Sequence, residues 1–342
     1  MKGRTMSVKP PRLISRKIFH LGRLMEECRP QIYNPNKKVI FEIAWPPGST
    51  SNRRMVFSRW APGELPDMFH PEAATTMVEH REDIFRYEPI AEGSGRVDWY
   101  LNFADPFLFP CYEGELFAQD EIQVAEHPCL AALRQALDHL RVTPFTIEAN
   151  SPTPVLIMGA ERRCAIDFLP DPAKGRPEGL YGRNFARARP EVVRAATRLI
   201  SPPTITNIIA MAAPAFGHGP YCAEEIIFIL ETAFTGFLAA VIESMKKQKR
   251  RPEVVIHTGF WGCGVFGGNR IMMIILQILA AQLAGVDRLI FYTLDAKGTV
   301  DYKEAIRTLE KKIPSDRKPV TMAELIAGIE ALGLRWGESD GN

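Results

Sequence analysis

The apolar positions of this chain fall into two kinds of run. One kind is short and nearly uninterrupted: 154–160 (PVLIMGA), 206–214 (TNIIAMAAP), 254–259 (VVIHTG) and 288–294 (RLIFYTL). Runs of this kind read as strands covered on both faces, as in a parallel or mixed sheet lined by helices. Residues 38–45 (KVIFEIAW) and 96–105 (RVDWYLNFAD) also read as strands. The other kind repeats at helical spacing. It predicts helices over 127–140, with Pro128 in the first turn, over 190–200, 221–247 and 270–285, and near 301–312 and 321–332, with a short one near 17–27. Alternation of the two kinds predicts an α/β sandwich with a mixed, mostly parallel central sheet. Residues 96–300 are expected to form its core, with 1–95 as an extension packed on that core and 301–342 as closing helices.

Composition narrows the class. The chain has 342 residues, of which 46% are apolar and 24% charged, with a net charge of +2, so a globular protein is expected and a whole-surface nucleic-acid binder is not. Basic residues are uneven. Seven Lys or Arg and no acid lie between Met1 and Met25, and a second cluster spans 246–251. A solvated tail and helix end, attraction to a polyanion, and a transit segment all remain open. No apolar run reads as membrane length, since the one after Ile271 is broken by Gln277 and Gln282, and no membrane partner is expected. Six scattered cysteines without a CxxC pair fit a reduced, intracellular setting, cytoplasmic or nuclear. His and Cys show no metal-ligand spacing, so neither a metal nor a cofactor is expected.

The stretch 257–269, HTGFWGCGVFGGN, holds five glycines in thirteen residues between a β-branched run and the apolar helix 270–285. A strand feeding a glycine-rich turn into a helix lets main-chain N–H groups approach an anion, next to the positive end of the helix dipole. It is neither a Walker A motif nor a GxGxxG fingerprint, and by glycine count alone a tight structural turn explains it equally well.

The order of residues says more. TGFWGCGVFGG resembles the T-G-N-W-G-C-G-A-F-G-G signature of the poly(ADP-ribose) glycohydrolases, with Phe260 for Asn and Val265 for Ala. LQILAA at 276–281 and AFTGF at 233–237 are also similar to that family. Upstream, 103–122 (FADPFLFPCYEGELFAQDEI) resembles the family's F-A-N, glycine triplet and Q-E-E, without a gap. HPCL at 127–130 and LIMGAE at 156–161 add to this, so the likeness covers 96–295 in patches. It implies a macrodomain-like three-layer sandwich. It also implies an ADP-ribose glycohydrolase acting on poly- or mono-ADP-ribose or an ADP-ribosylated macromolecule. Cleavage of a ribosyl bond passes through an oxocarbenium-like state in which the departing oxygen needs a proton. The resemblance gives that role to Glu121, with its pKa raised by burial and by Asp120. It gives ribose contacts to Asp120, orientation of the turn to Gln119, and the diphosphate to the amides of Gly262, Cys263, Gly264, Val265, Phe266, Gly267 and Gly268. Phe266 reads either as packing beside the distal ribose or as plain core.

Departures from the family are specific. Phe109-Pro110-Cys111 stands where the glycine triplet belongs, Asp105 replaces the Asn after Phe-Ala, and Leu294 replaces an aromatic. Proline removes a donor, and Glu113 and Glu115 bring negative charge. The Pro-, Gly- and Arg-rich 170–190 reads as a lid; Phe168 and Tyr181, which border it, are candidate replacements for an adenine contact, and its Arg183, Arg187 and Arg189 are candidate cations. The alternatives are an ADP-ribose-binding module without turnover and a related nucleotide N-glycoside hydrolase.

Overall fold

The computed structural model describes residues 9–91, 93–246, 250–313 and 318–341. In chain order its main elements are β1 (Leu13–His20), α1 (Leu21–Glu27), α2 (Pro35–Ala44), β2 (Arg54–Trp60), β3 (Met77–Arg81) and β4 (Arg96–Phe103). Then come α3 (Gln119–Glu126), α4 (Pro128–His139), β5 (Val155–Ile166), α5 (Asn184–Arg187), α6 (Pro190–Ala196) and β6 (Thr197–Met211). The chain closes with α7 (Ala223–Met245), β7 (Glu253–Thr258), α8 (Arg270–Ala284), β8 (Arg288–Tyr292), α9 (Ala296–Lys312) and α10 (Met322–Glu330).

The eight strands form one sheet in the order β1-β2-β5-β6-β4-β7-β8-β3. Four of its seven pairings are parallel and three antiparallel, which gives the expected mixed α/β sheet. The first 95 residues supply β1 and β2 at one edge and β3 at the other. Alternate residues face opposite layers. Leu101, Leu156, Ile209, Val254 and Ile256 pack with α7 and α8, while Phe57, Val155, Ile157, Ile208 and Ala210 pack with α1 and α4. Three layers result.

Residues 38–44 lie in helix α2, not a strand, and Trp45 is its C-cap. Asn34 caps it, its side chain accepting from the amides of Asn36 at 3.0 Å and Lys37 at 3.1 Å, and Pro35 fills the first turn. Val39, Ile40 and Ala44 form its buried face. The short helix expected near 17–27 begins only at Leu21, because residues up to His20 pair with β2. Helix α7, at 23 residues, is long and apolar enough by composition to cross a membrane, which corrects the reading that no run reaches that length. Its apolar stretch is 67% buried within the fold and packs along α8, so the core accounts for its composition.

Residues 1–8 of the basic N-terminal stretch and 247–249 of the second basic cluster lie outside the described residues. Among the described residues of the two stretches, basic side chains meet acids of the same chain: Lys9 with Glu64, Arg16 with Glu243, Arg23 with Glu27, and Lys246 with Glu243.

Candidate active site

Strands β4 and β7 are parallel neighbours, with Tyr100 opposite His257, and both deliver a loop at their carboxyl ends. Ligand clefts in open α/β sheets form at such strand ends. The loop after β4 leads to the Gln119-Asp120-Glu121 turn of α3. The loop after β7 is the glycine stretch. A β-carbon on Gly259 would lie 3.4 Å from Phe103 Cζ, so the two loops start side by side.

Gln119 is the joint between sheet and helix. Its Nε2 donates to the Leu101 carbonyl at 3.1 Å and its Oε1 accepts from the Phe103 amide at 2.8 Å. The side chain thus takes the place of a neighbouring strand at the end of β4. Asp120 is buried and accepts from Asn102 Nδ2 at 2.9 Å. Burial, and next the charge of Glu121, push its carboxyl well above the usual range, against the opposing pull of Asn102 and Lys37. Glu121 is also buried, and its Oε2 accepts from the amide of Ala118, one turn back, at 2.9 Å. Both acids therefore lie at the first turn of α3, where the helix dipole favours negative charge.

Lys37 on α2 is a residue the sequence reading missed. It is fully buried, and its Nζ donates to the Cys111 carbonyl at 2.7 Å. Burial pulls its pKa down to about 8, partly offset by the charges of Glu121 and Asp120. The cation beside the acid pair therefore comes from α2, whereas Arg183, Arg187 and Arg189 of the lid are exposed. The Asn34-Pro35 cap was the available signal that this segment is helical.

Phe109, at the first position of the expected glycine triplet, has φ of 51°. This is the left-handed backbone that suits glycine, adopted here at a strain of about 1 kcal/mol for a side-chain-bearing residue. Its ring is fully buried with Leu108, Tyr112, Val124 and Leu130, so its bulk goes into the core beneath α4. Asp105 Oδ1 accepts from the Phe107 amide at 3.1 Å in a local turn. Glu113 gives its main-chain carbonyl to the amides of Tyr33 and Asn34, and Glu115 is exposed.

The glycine loop needs its glycines at identifiable places. Gly262 has φ of 74°, and a β-carbon there would sit 2.5 Å from Ala213 Cβ. One on Gly268 would sit 2.7 Å from the Gly262 carbonyl, which accepts from the Gly268 amide at 2.8 Å. The amides of Cys263 and Gly267 also donate within the loop, to Phe260 and Gly264 at 3.0 Å each. Those of Gly262, Gly264, Val265 and Phe266 have no acceptor within the loop or on its flanking strand and helix. Trp261 anchors the turn from below, its indole N–H donating to the Met211 carbonyl at 2.9 Å. Burial raises the pKa of the Cys263 thiol, which contacts the Trp261 carbonyl. Phe266 is half-buried, edge-on to exposed Phe216 with ring centres 6.2 Å apart.

The lid is tied down. Phe185 stacks on Phe117 at 3.8 Å, and Asn36 Nδ2 donates to the carbonyls of Phe185 and Ala188. Tyr181 sits beside Phe168, ring centres 6.3 Å apart. Its phenol is pushed up to about 12, first by burial, then by the charges of Asp340 and Glu121.

Residues 181–301 match the family model described as Poly (ADP-ribose) glycohydrolase (PARG), Macro domain fold. The match runs from Tyr181 through the glycine loop into α9 and leaves out the acid turn of α3. Among solved structures, the poly(ADP-ribose) glycohydrolase from Thermomonospora curvata shares 16% identity over 84% of this chain and 88% of its own, with a TM-score of 0.45. The same enzyme bound to the inhibitor ADP-HPD gives 15%, 80%, 99% and 0.45. The Deinococcus radiodurans glycohydrolase in complex with ADP-ribose gives 15%, 87%, 95% and 0.42. Over residues 181–301 this chain is similar to that family model, and the stretch includes the glycine loop and its flanking elements.

Proposed function

We propose that this divergent relative of the poly(ADP-ribose) glycohydrolases hydrolyses the O-glycosidic bond of ADP-ribose attached to a further ribose or to a protein. One observation carries the reading. A buried carboxylate pair and a glycine loop with four amides lacking an acceptor within the loop leave adjacent parallel strands at one end of the sheet. The loop amides take the diphosphate, and α8 adds its positive end. Glu121 protonates the departing oxygen and then acts as base toward water. Asp120, whose carboxyl is pushed up first by burial and then by the charge of Glu121, holds a ribose hydroxyl. Gln119 fixes the turn that carries both.

The test is release of free ADP-ribose from poly(ADP-ribose) and from ADP-ribosylated protein. Glu121→Gln keeps an acceptor for the Ala118 amide, so the turn survives. Release is expected to fall by roughly 100-fold or more, with ADP-ribose binding retained. Unchanged release by Glu121→Gln removes Glu121 from the chemistry.

A second reading, binding without turnover, draws on Phe109-Pro110-Cys111. Pro110 has no N–H to offer a phosphate, and the Cys111 carbonyl is held by Lys37. Binding of ADP-ribose with no release at high protein concentration selects it.

A further inference from the structure

The segment that follows α10 returns to the glycine loop. Trp336 pins it. The indole stacks on Tyr221 with ring centres 4.6 Å apart and planes 16° from parallel, and its Nε1 donates to Glu225 at 3.0 Å. Its amide donates to the Gly219 carbonyl at 2.9 Å, and Asn269, the cap of α8, donates its side-chain amide to the Arg335 carbonyl at 2.9 Å. Gly217 lies so close under the Trp336 ring that no side chain fits there.

Beyond Trp336 the chain runs Gly-Glu-Ser-Asp-Gly along the loop. The Gly337 amide donates to the Gly267 carbonyl at 2.9 Å. A β-carbon on Gly267 would lie 3.4 Å from the Ser339 nitrogen, and one on Gly264 would lie 3.2 Å from Asp340 Oδ2. The carboxylate of Asp340 therefore stands over Gly264, whose amide is among those with no acceptor in the loop. The charges of Asp340 and Glu121 both add to the burial that raises the Tyr181 phenol. Residues 337–341 are exposed.

A carboxylate held at the face of a glycine loop whose main-chain amides lack backbone acceptors carries the charge that a phosphate would bring there. We propose that residues 337–341 form a displaceable plug in which the Asp340 carboxylate occupies the anion cradle and competes with the diphosphate of an incoming nucleotide. This rests on the reading of the glycine loop as a diphosphate cradle. Trp336 acts as the hinge post: it holds the segment near the cradle at high effective concentration, so the plug re-forms whenever the ligand leaves. A ligand must displace it, and its apparent affinity is reduced by the fraction of molecules in which the cradle is open.

The test is calorimetric titration of ADP-ribose, and separately of inorganic pyrophosphate, into the full chain and its Asp340→Asn and Glu338→Gln variants. The two variants remove the same charge from neighbouring positions, and only Asp340 stands over Gly264. Asp340→Asn is expected to bind both probes roughly three- to tenfold more tightly than the parent, with Glu338→Gln close to the parent. Equal affinity of the parent and Asp340→Asn overturns the plug and leaves the cradle intact. Equal gains in both variants reduce the effect to net charge and also overturn it. Binding of neither probe by any of the three overturns the cradle reading, and the plug with it.

Discussion

Asn102 Nδ2 lies 2.9 Å from Asp120 Oδ1, joining the end of β4 to the first turn of α3. The bond is made to a carboxyl whose pKa burial and Glu121 have raised. A raised folded pKa means that the native state holds a proton the unfolded chain has already lost. Stability therefore declines as pH climbs from the usual carboxylate range through the raised value. Asp120→Asn keeps an oxygen to accept from Asn102 and removes the titration. We expect the variant to be more stable than the parent at pH 7.5, by about 1 kcal/mol. The difference is expected to close below about pH 4. Urea unfolding at the two pH values checks this, and a gap that stays constant rules out Asp120 as the titrating group.

Lys37 titrates with the opposite effect. Its folded pKa is drawn down to about 8 from 10.5, so below pH 8 both states carry the proton and the full burial cost is present. Between these two values the unfolded chain binds the extra proton, and stability rises with pH. Compared with Lys37→Met, the parent is expected to gain about 2–3 kcal/mol across that window. Denaturant midpoints for both proteins at pH 7.5 and 10.5 measure the difference, in which the exposed lysines cancel. Parallel pH profiles exclude a depressed Lys37.

Two glycines of one loop are expected to respond differently to the same change. Gly262→Ala forces a left-handed backbone onto a side chain whose β-carbon meets Ala213 at 2.5 Å. A loss of about 2–3 kcal/mol is expected from strain and overpacking together. Gly264→Ala meets only the Asp340 carboxylate, at 3.2 Å, and is expected to cost less than about 1 kcal/mol. Thermal unfolding of the pair checks the order.

Phe109 sets strain against burial. Phe109→Gly relieves about 1 kcal/mol of backbone strain and empties a fully buried ring site whose loss costs about 3–5 kcal/mol. Burial wins, and a net loss of about 2–4 kcal/mol is expected. A variant as stable as the parent by urea unfolding sinks this assignment of Phe109 to the core. On the same balance, restoring a glycine here requires repacking beneath α4 as well.

What the sequence made legible is local. β7, the glycine loop and α8 were readable because an apolar strand, a turn and an apolar helix follow one another without interruption. So were β4 and α4. Residues 38–45 misled because their apolar run is short, and short runs do not separate strand from helix by period; the Asn34 cap and Pro35 carried the deciding chemistry. Lys37 is polar and sits beside a second lysine, Lys38, that is exposed, and only the tertiary packing of α2 against the acid turn buries it. The return of 335–341 onto the loop has no periodic signature at all. It depends on a stacked Trp336 and on contacts between segments far apart in sequence.

The grip of Gln119 on Leu101 and Phe103 has a consequence for how this protein can vary. Because one side chain bonds the last residues of β4 directly, the whereabouts of the two acids are indexed to the strand and not to the fifteen residues 104–118 that connect them. Changes in that connector, Phe109-Pro110-Cys111 included, are therefore expected to leave the carboxylates in place. The connector is free to drift while the two acids keep their address.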